Sequence, residues 1–272
     1  MKKTTSIKFL LLLLFLSITI NISAQRNQSG KKVLIVLSAA DHWTRADGSL
    51  YPSGYWTEEF VDVHKEFVEA GYTVDIATPD SRKPTADPKS LDPKTVGEEK
   101  AVYFTNYLKA LSGSLDHPLR LSDINMNNYE AVVIPGGHGP VEDLYKDKSM
   151  GKLLFAAQKS DKIIGAVCHG QAALLSAVDS RGNWLFKGRK MTSFSDEEEV
   201  EFGTANNAPW LLASTLRKYG ATYKRGEQNW GSFVVVDKNL ITGQNPASST
   251  PMAKEIISAL NKKTARVNFK KR

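Results

Sequence analysis

The sequence predicts an α/β protein: a doubly wound, mostly parallel sheet with helices on both faces, folded as a single domain. Three observations lead there. Short, wholly apolar runs such as Val33–Leu37, Ala131–Ile134 and Ile163–Val167 have strand length and no polar face, as strands buried on both sides require. Between them lie stretches with apolar residues at helical spacing, such as Phe60, Val63, Phe67 and Ala70. Each apolar run stops in a glycine-rich or polar segment, where the ligands of an open α/β sheet gather.

The first residues do not belong to this pattern. Lys2, Lys3 and Lys8 precede an apolar run from Phe9 to Ile20, and Ile22-Ser23-Ala24 supplies small residues for cleavage before Gln25. Residues 1–24 therefore read as a secretory signal peptide and 25–32 as a linker. The run is short for a bilayer span of about 20 residues. The expected mature protein is exported, periplasmic or secreted, without a stable membrane anchor.

Val33–Leu37 opens the domain, which is expected over 33–262. Ala39–Tyr55 reads as a loop, rich in Gly, Asp, Ser and Pro. The helix that follows stops at Gly71, and Tyr72–Ala77 is the second strand. Pro79–Pro93 reads as a long ordered loop or lid, Glu98–Ser112 as a helix, and Ala131–Ile134 as a strand closed by Pro135-Gly136-Gly137. A helix over Met150–Ser160 leads to the strand Ile163–Val167. Beyond it, Met191–Phe194 reads as a short strand and Trp210–Tyr219 as a helix. Phe233–Val236 and Leu240–Thr242 read as a strand pair around Asp237-Lys238-Asn239. Ser249–Lys262 reads as a last helix, with Ala253, Ile256, Ile257 and Leu260 on one face.

The formal net charge is +7, and Lys2, Lys3 and Lys8 carry three of those charges. Much of the remainder lies in a basic tail over 263–272. No aromatic-rich surface accompanies it, so nucleic acid is not an expected partner. Cys168 is the one cysteine, which rules out an intramolecular disulfide. His42, His64 and His117 have no spaced partners for a structural zinc site, and no metal or other cofactor is expected.

The chemistry concentrates at Ala166-Val167-Cys168-His169-Gly170. A strand ending in a small-residue turn before a helical pattern is the grammar of a nucleophile elbow. Such a turn exposes the sulfur, and a following helix N-terminus favours thiolate. His169 is a candidate base, oriented by a carboxylate from Asp196–Glu199, although such an acidic run is usually a solvated helix start. Glu58 or Glu59 is a candidate proton carrier whose burial would raise its pKa. Gly136 and Gly137, with the N–H after Cys168, are candidate oxyanion donors.

These segments resemble the ThiJ/PfpI superfamily, and within it the glyoxalase III-like, heat-shock-chaperone-like branch. The resemblance rests on Gly54-Tyr55-Trp56-Thr57-Glu58-Glu59, Pro135-Gly136-Gly137-His138-Gly139-Pro140, Ala166–Gly170 and Gly243-Gln244-Asn245-Pro246-Ala247-Ser248, in family order. It implies a flavodoxin-like sandwich with Cys168 as nucleophile, Glu59 rather than Glu58 as proton shuttle, Gly137 and His138 at the substrate, and His169 partnered by Glu199, with Glu198 the alternative. It also implies a small 2-oxoaldehyde substrate such as methylglyoxal, converted to a 2-hydroxy acid without glutathione or metal, or action on glyoxal-modified groups. Relatives are also described as protein deglycases, chaperones or peptidases and often form homodimers; the alternative reading of this chain is a non-enzymatic stress chaperone or thiol oxidation sensor. The same fold hosts class I glutamine amidotransferases, but these need a late His-x-Glu, and no histidine follows His169.

Overall fold

The structure, a computed structural model, describes residues 30–270. The signal peptide and most of the linker expected from the sequence lie outside the described residues.

Strand β1 (Lys32–Val36) pairs in parallel with β4 (Thr73–Thr78) on one side and β6 (Ala131–Ile134) on the other. β6 continues in parallel to β7 (Ile163–Val167), and β7 to β11 (Leu240–Gly243). β10 (Val234–Asp237) closes one edge antiparallel to β11, and β5 (Leu119–Arg120) closes the other, giving the order β10-β11-β7-β6-β1-β4-β5. The wholly apolar runs are thus the central strands, as their sequence requires.

Side chains alternate between two cores because successive strand residues point to opposite faces. Val33, Ile35, Val133 and Val167 face α1 (Thr57–Glu69) and α8 (Ser249–Lys270), which supply Phe60, Val63, Phe67, Met252, Ile256 and Leu260. Leu34, Val36, Val132, Ile134 and Ile164 face α5 (Lys148–Lys159) and the segment after β7. No helix among the described residues is long and apolar enough to cross a membrane.

Several local expectations are corrected. Ala39–Tyr55 is not a plain loop: His42–Thr44 pairs antiparallel with Leu50–Pro52, turning at Gly48 with φ 82°. Pro79–Pro93 contains two 3₁₀ turns, Pro79–Ser81 and Pro88–Leu91, each started by the fixed φ of proline. The strand expected over Met191–Phe194 is confined to Lys190–Met191, because only these residues find a partner, in Thr222–Tyr223. The last helix does not stop at Lys262: α8 continues to Lys270, and Lys263 holds Asp161 through an ion pair of 2.7 Å.

The most consequential difference follows β7. Gly170–Ser176 forms 3₁₀ turns rather than an α-helix, pressed against the sheet with Gly170 over the Ile134 carbonyl. A Cβ on Gly170 would lie 2.1 Å from that oxygen, which is backbone and cannot swing aside. Gly170→Ala should therefore destabilise the fold by about 1–3 kcal/mol. Urea unfolding should show a lower midpoint at an unchanged slope.

Candidate active site

Three strand ends and one helix start meet above the C-terminal edge of the sheet. Cys168 follows β7 directly and has φ 62°, a left-handed conformation unusual for a side chain with a Cβ. Its N–H donates to the Gly243 carbonyl at 3.0 Å, and its own carbonyl accepts from the Phe194 N–H at 2.9 Å. Gln171 ties the same region together, donating to the Thr192 and Gly243 carbonyls at 2.7 and 2.8 Å. This lattice holds a backbone conformation that would otherwise relax.

Glu59 lies in the first turn of α1 and is fully buried. Its Oε2 accepts from the Gly136 N–H at 2.6 Å, and its carboxyl interacts with the Cys168 thiol. Burial raises its pKa to about 8, although the thiol and the Gly136 N–H pull the other way. The carboxyl is therefore neutral at pH 7. Glu58, one residue earlier, turns outward to Lys100 at 2.5 Å. The structure thus brings Glu59, and not Glu58, to the sulfur.

The thiol itself departs from expectation. Cys168 is 5 % exposed, and burial, followed by the Glu59 carboxyl, pushes its pKa well up. The short 3₁₀ segment supplies no long array of aligned peptide dipoles to offset that cost. Burial and the Glu59 carboxyl both favour the thiol over the thiolate, so ionisation calls for a neighbour that takes up the proton. His169 is placed for that transfer. Its Nδ1 lies 3.3 Å from Sγ, and its Nε2 lies 2.6 Å from Glu199 Oε1.

Glu199 is buried, yet its pKa falls: burial opposes ionisation, but His169 and His138 together outweigh it. Thr204 also donates a short hydrogen bond to Oε2. Burial lowers the His169 pKa. The consistent assignment is a Glu199 carboxylate accepting Nε2–H from a neutral His169, which leaves Nδ1 to receive the thiol proton. Glu198 does not reach His169. It forms the capping box of α6 (Asp196–Phe202) with Ser195. The reading of this acidic run as solvated fails for both residues, because the helix turns them inward.

The loop after β6 supplies Gly137 and His138. Gly137 has φ 82°, and a Cβ there would meet the Gly54 carbonyl at 2.4 Å, so the turn demands glycine. Its N–H faces the sulfur and favours a thiolate. Gly136 is not a free oxyanion donor as expected, because Glu59 already takes its N–H. His138 stacks between Trp43 and His169, with ring centroids 4.6 and 4.4 Å away. His138, His169 and Glu199 bring their donor atoms within 4.8 Å of one another, a donor set suited to a divalent ion. The His169–Glu199 contact is already a hydrogen bond, so an ion would first have to part the pair. Elsewhere His64 is a satisfied core histidine bonded to Tyr107 at 2.9 Å.

The pocket above the sulfur is a narrow cavity of about 30 Å³, with room for about two waters. Its walls are Trp56, Phe194, Phe202, Trp230 and Pro246, with Gly137, His138, Cys168 and His169 at the base. The wall aromatics went unrecognised in the sequence because they come from four separated segments, none with a periodicity that marks a pocket. The signals were Trp56 and Gln244-Asn245-Pro246, which lie in segments that carried the resemblance but had no assigned role there.

The DJ-1/PfpI family profile matches residues 50–259. Among curated proteins, the chain is 28% identical to Glyoxalase 3 of Candida albicans over 233 residues, covering 84% of this chain and 98% of that protein. It is 28% identical to the protein/nucleic acid deglycase HchA of Staphylococcus aureus over 247 residues, covering 85% and 82%. Among solved structures, glyoxalase III from C. albicans superposes with a TM-score of 0.71 at 27% identity, over 84% of this chain and 97% of that one. The rapid encystment protein of Francisella tularensis gives 0.75 at 28% identity, over 85% and 99%. A match of this extent, laid over the same sheet and elbow, makes the chain a member of the DJ-1/PfpI family.

Proposed function

We propose that the protein is a cofactor-independent cysteine enzyme that converts small 2-oxoaldehydes into 2-hydroxy acids. The observation that carries this reading is the neutral Glu59 carboxyl facing a thiol whose other neighbour is a histidine with a free acceptor nitrogen. The relatives named for glyoxalase and deglycase activity support it.

The steps follow from those positions. His169 Nδ1 takes the thiol proton as Sγ attacks the aldehyde carbon, and Glu59 gives its proton to the aldehyde oxygen. The product is a hemithioacetal on Cys168. Glu59, now a carboxylate, removes the hydrogen from that carbon while His169 protonates the neighbouring ketone oxygen, giving an enediol. Glu59 then returns its proton to the second carbon, and His169 takes one from the first hydroxyl, leaving a thioester. Water hydrolyses the thioester. Its spare proton restores Glu59, and His169 reprotonates the departing sulfur. The sum is one oxoaldehyde and one water giving one 2-hydroxy acid. A proton donor and base matched to neutral pH suits this isomerisation.

The narrow aromatic pocket favours free methylglyoxal-sized substrates over bulky protein-bound adducts. The purified protein, with methylglyoxal and no added glutathione, should produce lactate, measured enzymatically or by NMR. Absence of lactate would overturn the reading. The signal-peptide pattern over residues 1–24 supports export of this activity, and secretion of an epitope-tagged full chain tests it.

A further inference from the structure

One wall of the pocket is unlike the others. Trp230 lies on the loop between β9 (Thr222–Tyr223) and β10, is 40 % exposed, and has φ 61°. A bulky residue holds that left-handed conformation only when its surroundings impose it. Here the restraint comes from a single helix. Glu198 Oε1 accepts from the Trp230 backbone N–H at 2.9 Å, and Glu201 Oε2 accepts from its indole Nε1–H at 2.7 Å.

The same Glu198 oxygen accepts from Gln244 Nε2 and Asn245 Nδ2 at 3.1 and 2.7 Å, fixing the turn that presents Pro246. Glu201 Oε1 also accepts from Asn229 Nδ2 at 2.6 Å, bracing the loop beside the tryptophan. The pinned ring packs edge-on to Phe194, 5.4 Å between centroids, and reaches Phe202 at 6.0 Å. Helix α6 therefore orients His169 through Glu199 and sets the pocket's outer wall through its neighbours.

We propose that Trp230, pinned by Glu198 and Glu201, is a size gate that limits the carbonyl substituent of the substrate to small groups. The identity of that substituent rests on the function proposed above, whereas the gate itself is a statement about access to Cys168. The pins differ in kind. Glu198 is buried and structural, while Glu201 is exposed, so Glu201→Ala releases the indole without opening the core.

The test uses Trp230→Ala and Glu201→Ala in the full chain, with two pairs of probes. The first compares kcat/KM for phenylglyoxal with that for methylglyoxal. The second compares alkylation of Cys168 by N-benzylmaleimide with that by iodoacetamide, followed by intact-mass spectrometry. Both bulky-to-small ratios should rise by about tenfold or more in Trp230→Ala, and in the same direction in Glu201→Ala. Unchanged ratios, or equal acceleration of both probes, would overturn the gate, since general loosening admits every probe alike. If wild type turns over neither aldehyde but the alkylation ratio still rises, the gate stands and the substrate assignment falls.

Discussion

Cys168→Ser should lower kcat/KM for methylglyoxal by about 10³-fold or more, a loss of about 4 kcal/mol in transition-state stabilisation. Serine keeps the Cβ and the left-handed backbone that the elbow imposes, so the fold should survive. On the proposed mechanism, what is lost is a nucleophile that His169 can deprotonate. A thiol with its proton 3.3 Å from Nδ1 can give it up as the aldehyde arrives, even though burial holds its resting pKa high. A hydroxyl in the same dry site faces the same desolvation from a far weaker acidity. Lactate formation measures the first half of this expectation, and the unfolding midpoint checks the second. Retention of wild-type turnover in Cys168→Ser would remove the covalent mechanism.

Glu59→Gln should abolish turnover and, at the same time, make the protein more stable at pH 8. Glu59 titrates near 8 in the fold and near its ordinary 4.5 when unfolded. Its native pKa is raised, so its favourable contribution is complete below pH 4.5. It is lost progressively as pH rises, because the unfolded chain releases the proton while the native state must keep it or bury a charge. By pH 8 the loss amounts to a few kcal/mol, at about 1.4 kcal/mol for each unit of difference. Glutamine stays neutral and keeps an oxygen for the Gly136 N–H.

The difference in stability between Glu59→Gln and wild type should therefore grow from pH 5 to pH 8. Taking the difference also cancels the other groups that titrate in this window. These include Asp143, raised by burial to about 6, and His64, lowered by burial to about 4. Denaturant melts at several pH values provide the measurement. Wild-type kcat/KM should show a falling limb near pH 8 as the acid form of Glu59 disappears. A pH-independent stability difference would mean that the carboxyl is already ionised in the native protein.

Legibility followed the range of the physics involved. Val33–Leu37 and Ile163–Val167 announce buried strands because a strand covered on both faces admits no polar residue. Cys168 is visible because a sharp turn needs small neighbours on either side. The hairpin at His42–Thr44 and Leu50–Pro52 was missed, since three-residue strands carry too little pattern to separate from a polar loop. Glu58 and Glu59 look alike at a helix start. Consecutive helix residues differ by about 100° in direction, and only docking of α1 on the sheet sends one to Lys100 and the other to the sulfur.

The amino-acid order by itself determined the doubly wound sheet, the elbow at Cys168 and the strand ends that would meet there. These depend on local periodicity and on turn chemistry, which a chain carries along its length. Only the tertiary structure decided that burial disfavours the Cys168 thiolate, that Gly136 serves Glu59, that Glu199 rather than Glu198 holds His169, and that Trp230 lines the pocket. Those outcomes depend on desolvation and on contacts between residues far apart in sequence, and neither exists until the chain has folded.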